Sequence, residues 1–232
     1  MVGRGEVLER MTTIAGPQGP LEALWQSGGV AGGGPALVHG APVLLCPPHP
    51  ALGGSMDSPV LADLVWLLGR RRHPTLRFNY AGVGASHGER GLPPLPVPGG
   101  APVDLRALVD DANAAIAHLL QTSGDRRCYV VGLSVGALIA ARLGAENDAV
   151  EKVALISPPV DVTDVDVAAL DASGVLWRCY VGGDDVFAPV ERWRLTMPRL
   201  VVISHANHTF SRGLQALCVE VADELTSASD DL

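Results

Sequence analysis

Residues 132–136 read Gly-Leu-Ser-Val-Gly, a G-x-S-x-G pattern. In a chain with 27 glycines, such a pattern arises by chance in roughly one sequence in six, so its context decides. Directly before it stands Arg-Cys-Tyr-Val-Val, a strand pattern, and directly after it Val-Gly-Ala-Leu-Ile-Ala-Ala-Arg-Leu, a helix of small residues. Strand, sharp turn and helix are the setting in which a serine is lifted out of the backbone as a nucleophile. The two glycines answer a steric need, because side chains two residues either side of so tight a turn would collide. Val135 opens the helix, which leaves its N–H free to face the serine.

A serine hydroxyl attacks poorly unless a base removes its proton and an acid orients the base. Where this elbow occurs, the chain order is serine, acid, histidine. After Ser134 only His205 and His208 remain, both following the strand-like Leu-Val-Val-Ile-Ser. The run Leu-Trp-Arg-Cys-Tyr-Val-Gly-Gly-Asp-Asp offers Asp184 and Asp185. Ser134, one of these acids and one of these histidines would all lie at C-terminal ends of strands, the edge where parallel sheets bind ligands.

The elements that must hold them can be read along the chain. Strands are expected at 6–15 and 21–26, joined by Gly-Pro-Gln-Gly-Pro. Further strands are expected at 42–46, 75–79, 127–131, 153–156, 176–181 and 200–204. Helical spacing appears at 59–71, 103–120, 135–143 and 212–226. The glycine-rich 27–41 reads as a surface loop, and 92–102, with five prolines and two glycines, as a stiff loop that is neither strand nor helix. Strands alternate with helices from residue 42 onward. The expected fold is therefore α/β: one domain over 1–232, a mostly parallel central sheet and helices on both faces.

Composition narrows the function classes. With 47% hydrophobic and 18% charged residues the chain suits a buried sheet and not disorder. Net charge is −8, aromatics are 4% and Lys152 is the single lysine, so neither nucleic acid nor an anionic membrane is an expected partner. No apolar run approaches the roughly 18 residues of a membrane span. The N-terminus lacks the apolar core of a signal peptide, which points to the cytoplasm. Cys46, Cys128, Cys179 and Cys218 sit in apolar runs without a CxxC pair and read as buried thiols. No cofactor or metal is expected.

Four further blocks carry a resemblance. They are Cys46–Met56 (CPPHPALGGSM), Arg77–Gly88 (RFNYAGVGASHG), Gly-Gly-Asp-Asp-Val-Phe-Ala-Pro at 182–189, and Asn-His-Thr-Phe at 207–210. Together with the elbow, over about residues 6–226, they resemble the α/β-hydrolase superfamily, in particular its small bacterial serine hydrolases with minimal or absent lid. The resemblance selects Asp185 over Asp184, through the proline four residues on, and His208 over His205, through the aromatic after it. It implies a Ser134–His208–Asp185 triad acting through an acyl-enzyme. Pro47, Ala81 and the long 92–102 loop depart from the pattern; they touch the pocket walls and so the substrate.

The oxyanion needs two backbone N–H groups. Val135 supplies one. The other belongs to the loop after residues 42–46, where Pro47, Pro48 and Pro50 have no N–H, and the resemblance points to Ala51 or, next to it, Leu52. His49 is expected to be structural, His87 and Glu89 to lie on a solvated loop, Asp110 and Asp111 to be surface charges, and His118 to sit at a boundary. Only about 16–20 residues separate the strands at 153–156 and 176–181, which is short for a lid, and the 92–102 loop is the other segment that could roof the site. The expected activity is cleavage of a carboxylic ester or related acyl bond of a small molecule, carboxylesterase- or thioesterase-like. An acyltransferase or aminopeptidase-like enzyme would use the same triad, and a binding protein on this scaffold is the non-catalytic rival.

Overall fold

The computed structural model describes residues 9–29, 39–89, 103–159 and 164–227. The elements run β1 (Arg10–Gly16), β2 (Gly19–Gln26), β3 (Val43–Cys46), α1 (Pro59–Arg70), β4 (Thr75–Phe78), α2 (Arg106–Ser123), β5 (Cys128–Leu133) and α3 (Val135–Glu146). They continue β6 (Val150–Ile156), α4 (Val167–Ser173), β7 (Leu176–Gly182), α5 (Val190–Thr196), β8 (Leu200–Ile203) and α6 (Leu214–Thr226). One eight-stranded sheet has the order β1-β2-β4-β3-β5-β6-β7-β8. β2 pairs antiparallel with β1 and β4, and every pair from β4 to β8 is parallel. The α/β class and mostly parallel sheet expected above are what is found. The glycine-rich 30–38, the loop at 92–102 and the first residues of the expected strand at 6–15 fall outside the described residues, wholly or in large part.

Strand alternation decides which helices pack where. Val43, Leu45, Val131, Leu133, Ala154 and Ile156 point to one face, where α1 and α6 cover them. Leu44, Cys46, Val130, Val153, Leu155 and Cys179 point to the other, packed against α2, α3, α4 and α5. α1 starts at Pro59, where a missing N–H costs nothing, and its apolar residues 60, 61, 64, 65 and 68 are all buried. Truncating Leu61 or Leu64, both fully buried, would cost about 2–5 kcal/mol. α2 begins three residues later than its pattern suggests and ends on Gly124 in the left-handed conformation. α4 and α5, seven residues each, are too short for their periodicity to stand out. α4 occupies the connection between β6 and β7.

Asp111 corrects an expectation. It is 2% exposed, and its Oδ2 accepts the Ala81 N–H at 2.8 Å. Burial lifts its carboxyl above the usual value, partly opposed by that bond. The acid thus ties α2 to the turn after β4, whereas Asp110 is exposed as expected. His118 sits at a boundary and meets Thr12 Oγ1 at 3.1 Å.

The sheet changes direction of winding between β3 and β5, since β4 lies to one side of β3 and β5 to the other. There Cys46 pairs with Gly132, so the loop after β3 and the turn after β5 share one crevice, the place where open α/β sheets bind ligands.

Candidate active site

At Ser134 the chain turns from β5 into α3 with φ 57° and ψ −121°, a strained conformation for a residue with a side chain. The turn is held by the Ser134 N–H donating to Ile156 O at 2.8 Å. A Cβ on Gly132 would come within 2.0 Å of Gly136 O, and one on Gly136 within 2.3 Å of Cys46 O. Both glycines are therefore required by close backbone approach. Val135 begins α3, so its N–H has no acceptor within the helix.

The histidine and the acid come from neighbouring turns that are bonded to each other. After β7, Gly183 N–H donates to Ile203 O at 2.8 Å and Asp184 N–H to Ala206 O at 2.9 Å. Asp185 is buried while Asp184 and His205 are exposed. His208 Nδ1 lies 2.9 Å from Asp185 Oδ2 and 3.0 Å from Oδ1, and its Nε2 lies 3.0 Å from Ser134 Oγ. A carboxylate only accepts, so the ring proton sits on Nδ1 and Nε2 accepts the Ser134 hydroxyl. Burial raises the Asp185 carboxyl, but the His208 hydrogen bond and charge, helped by the Ser157 hydroxyl and the Ala188 N–H, outweigh it and leave the acid below its ordinary value. Phe187, 55% exposed, leans on the His208 ring at 5.0 Å between centroids and covers one side of it from water. Nothing in the sequence pattern singled out Phe187; only the packing reveals it.

The loop after β3 is bonded mostly to itself. Ala51 N–H donates to His49 Nδ1 at 3.0 Å. Leu52 and Gly54 N–H both donate to His49 O at 3.1 Å, and Gly53 N–H to Pro50 O at 3.0 Å. The two donors expected for the oxyanion, Ala51 and Leu52, are thus already engaged: this loop closes a 3-10 turn at Pro50–Leu52 around His49. With three prolines donating nothing, the main-chain N–H groups of His49 and Ser55 are the two in this loop left without a partner among the described residues. The His49 side chain is structural, as expected, capping that turn; burial holds its ring below the usual histidine value.

The Arg77–Gly88 block acquires a physical role here. Arg77 donates to both Glu9 carboxylate oxygens at 2.7 Å and to Met56 O at 2.7 Å. Asn79 Oδ1 accepts the Met56 N–H at 2.9 Å, and its amide donates to Glu22 at 2.8 Å. This buried network anchors the far end of the β3–α1 loop to β4 and β2. His87 and Glu89 are exposed.

A cavity of about 580 Å³ opens beside Ser134, between the β3–α1 loop and the start of α6. Leu52, Leu133, Phe187, Phe210 and Leu214 line it with His208, and among its lining residues there is no Lys or Arg. Among the described residues no group of His, Cys, Asp and Glu could hold a metal ion, and no helix is long and apolar enough to cross a membrane. The four cysteines are buried and unpaired, with their thiols raised by burial.

Comparison with known proteins agrees with this architecture. The sequence pattern of the family described as serine aminopeptidase, S33 (Hydrolase_4) matches residues 52–181, a span that includes Ser134 but ends before Asp185 and His208. Among solved structures, an Agrobacterium tumefaciens protein of unknown function, a candidate alpha/beta hydrolase, is 26% identical with a TM-score of 0.71, covering 93% of this chain and 94% of that one. An alpha-beta serine hydrolase homologue from Coxiella burnetii is 23% identical, with a TM-score of 0.73 and 94% and 97% covered. A Xanthomonas campestris a/b serine hydrolase without lid is 22% identical, with a TM-score of 0.70 and 94% and 93% covered. An uncharacterized Rickettsia prowazekii protein is 29% identical over 150 residues, 63% of this chain and 54% of that relative's length.

Proposed function

The chain belongs to the serine aminopeptidase S33 family of α/β-hydrolases, and from that premise we propose that it cleaves a carboxylic ester or thioester of a small, uncharged acyl group through an acyl-enzyme. The observation that carries the reading is the unbroken line from Ser134 Oγ through both ring nitrogens of His208 to Asp185, each contact 2.9–3.0 Å.

Ser134 Oγ attacks the acyl carbonyl carbon while His208 Nε2 takes its proton. Asp185 stabilises the imidazolium and keeps the ring in the productive tautomer. The oxyanion sits at the N-terminus of α3, against the Val135 N–H. Ala51 and Leu52 are engaged, and of the two free N–H groups in the loop after β3 the second donor is that of His49 rather than Ser55, because the backbone just before His49 packs against Gly136 beside Val135. Collapse of the tetrahedral intermediate breaks the acyl–oxygen or acyl–sulfur bond, with the His208 proton passing to the leaving group. Water, deprotonated by His208, then attacks the acyl-enzyme and releases the acid.

The lining favours an ester over the amino-terminal peptide that the family's name suggests. Recognition of a substrate ammonium calls for an unpaired carboxylate near the scissile bond. Asp57, the carboxylate among the described residues of the cavity wall, is paired with Arg77 at 3.3 Å. A cleft whose described lining is largely apolar and holds no Lys or Arg suits a neutral acyl chain. The test is a panel of p-nitrophenyl esters, acyl thioesters and aminoacyl-p-nitroanilides, each run with and without an added alcohol. The reading expects ester or thioester turnover with free acid as product. Turnover of the aminoacyl anilides alone would establish the aminopeptidase, and conversion of acyl groups mainly to new esters would establish an acyltransferase.

A further inference from the structure

The residue that follows β6 is Ser157, fully buried and held at φ 46°, where a non-glycine residue is strained. Its N–H donates to Tyr180 O on β7 at 2.7 Å. The residue before it, Ile156, accepts the Ser134 N–H at 2.8 Å. β7 ends two residues beyond Tyr180 at Gly182, whose carbonyl accepts the Asp185 N–H at 3.2 Å. Ser157 is thus tied between the turn that carries the nucleophile and the turn that carries the acid.

Its hydroxyl has no hydrogen bond of good geometry among the described residues although it is buried, a costly state for a polar group. The acid beside it is unevenly served. Asp185 Oδ1 accepts from Phe187 N–H at 2.9 Å, from Ala188 N–H at 3.0 Å and from His208 at 3.0 Å. Among the described residues, Oδ2 accepts a well-formed hydrogen bond only from His208 Nδ1, which leaves it a lone pair to receive another donor. The Ser157 hydroxyl is near enough to contribute to holding the Asp185 carboxyl down, and His208 is the one titratable group that acts on it alongside.

We propose that Ser157 is a positioning residue for the catalytic acid, its hydroxyl donating to Asp185 Oδ2 when His208 becomes positively charged during acyl transfer. Hydrogen bonds among catalytic groups are commonly loose in the resting protein and tighten in the reacting complex. As His208 takes the serine proton, it draws the carboxylate toward Nδ1, and the donor that fills the vacant lone pair keeps Oδ2 from turning away. No proton leaves Ser157; Asp185 stays ionised. The backbone strain at this residue is the kind retained where function requires a side chain at a position that glycine would occupy more easily. The inference rests on the serine-hydrolase reading above.

Ser157→Ala removes the hydroxyl and keeps the strain, whereas Ser157→Gly removes both. With p-nitrophenyl acetate, both variants are expected to lose kcat by roughly 10- to 100-fold, the worth of one hydrogen bond to a charged group, with KM nearly unchanged. The acidic limb of the kcat/KM–pH profile moves to lower pH in both, because the imidazolium is less stabilised. Ser157→Gly is expected to be the more heat-stable of the two, so activity and stability part company. Wild-type kcat and an unmoved limb in either variant would overturn the proposal, as would recovery of activity in Ser157→Gly alone, which would make the role a backbone one. Wild-type protein inert toward both the ester and a fluorophosphonate would overturn the hydrolase reading itself, and this inference with it.

Discussion

Each end of the central sheet carries a cavity, about 580 Å³ beside Ser134 at the C-terminal edge and about 560 Å³ at the N-terminal edge. The two differ in how their polar groups are satisfied. At the N-terminal edge Lys152 Nζ donates to the carbonyls of Ser227, Leu225 and Glu224 at 2.8, 3.3 and 3.4 Å and lies over the Tyr129 ring. Asn147 is bonded to Ala149 and Asn113, and Arg127 faces Glu151 at 3.5 Å. None of the non-glycine residues lining that cavity has positive φ. Of the residues lining the C-terminal cavity, Ser134 and Phe210 do, and His49 Nε2 on its wall is buried without a partner among the described residues. Two cavities of nearly equal volume therefore differ in kind: one closes off the polar ends of helices and strands, while the other holds strained backbone and open hydrogen-bonding capacity where charge would develop. Cavity volume does not distinguish them; strain and incomplete pairing do.

Substitutions at the two ends should separate activity from stability. The largest effect belongs to Ser134→Ala, expected to lower ester turnover by roughly 10⁴- to 10⁶-fold with little change in Tm; steady-state kinetics and thermal unfolding check both halves. Asp185→Asn follows, with a loss of roughly 10⁴-fold as the imidazole adopts the wrong tautomer. It also alters stability. Because the folded Asp185 carboxyl sits below its usual value, its contribution is fully present above the unfolded carboxyl value of about 4 and is lost as pH falls through the folded one. Urea unfolding of wild type and variant between pH 2 and 6 should accordingly show a gap that narrows toward acid.

A smaller effect tests the loop after β3. His49 has φ −60°, which proline accommodates, so His49→Pro deletes the N–H without forcing the backbone. It should turn over substrate roughly 10²-fold more slowly than His49→Ala; equal rates would move the oxyanion role to Ser55, Ala51 or Leu52. The smallest kinetic effect is expected at the other end. Lys152→Met should leave kcat unchanged and cost about 1–3 kcal/mol in denaturant unfolding, since it removes the cation that caps α6. A loss of activity there would break the distinction between the two edges.

Much of this arrangement could be read from the residues. Continuous apolar runs such as Val43–Cys46 marked strands buried on both faces, and Gly132–Gly136 between a strand and a helix marked the turn at Ser134, because both patterns arise from local sterics. Asp185 and His208 needed the resemblance, since spacing alone left Asp184 and His205 open and only tertiary burial separates them. Asp111 looked like surface charge because it follows Asp110 on a helix. Its burial depends on the turn after β4, a partner far along the chain. The bonding of the loop after β3 was illegible for a related reason: whether an N–H is free depends on competition among neighbouring acceptors, and His49 takes the Ala51 donor through its own ring. Ser157 left no trace, as its importance lies in a backbone angle and an empty lone pair on another residue.

The central claim is that Ser134 is an activated nucleophile, and covalent labelling tests it most directly. Wild type and Ser134→Ala would be incubated with a fluorophosphonate and weighed intact. A single adduct on wild type and none on the variant is the predicted result. A folded wild-type protein that takes up no adduct, or a variant labelled as readily as wild type, would contradict the account.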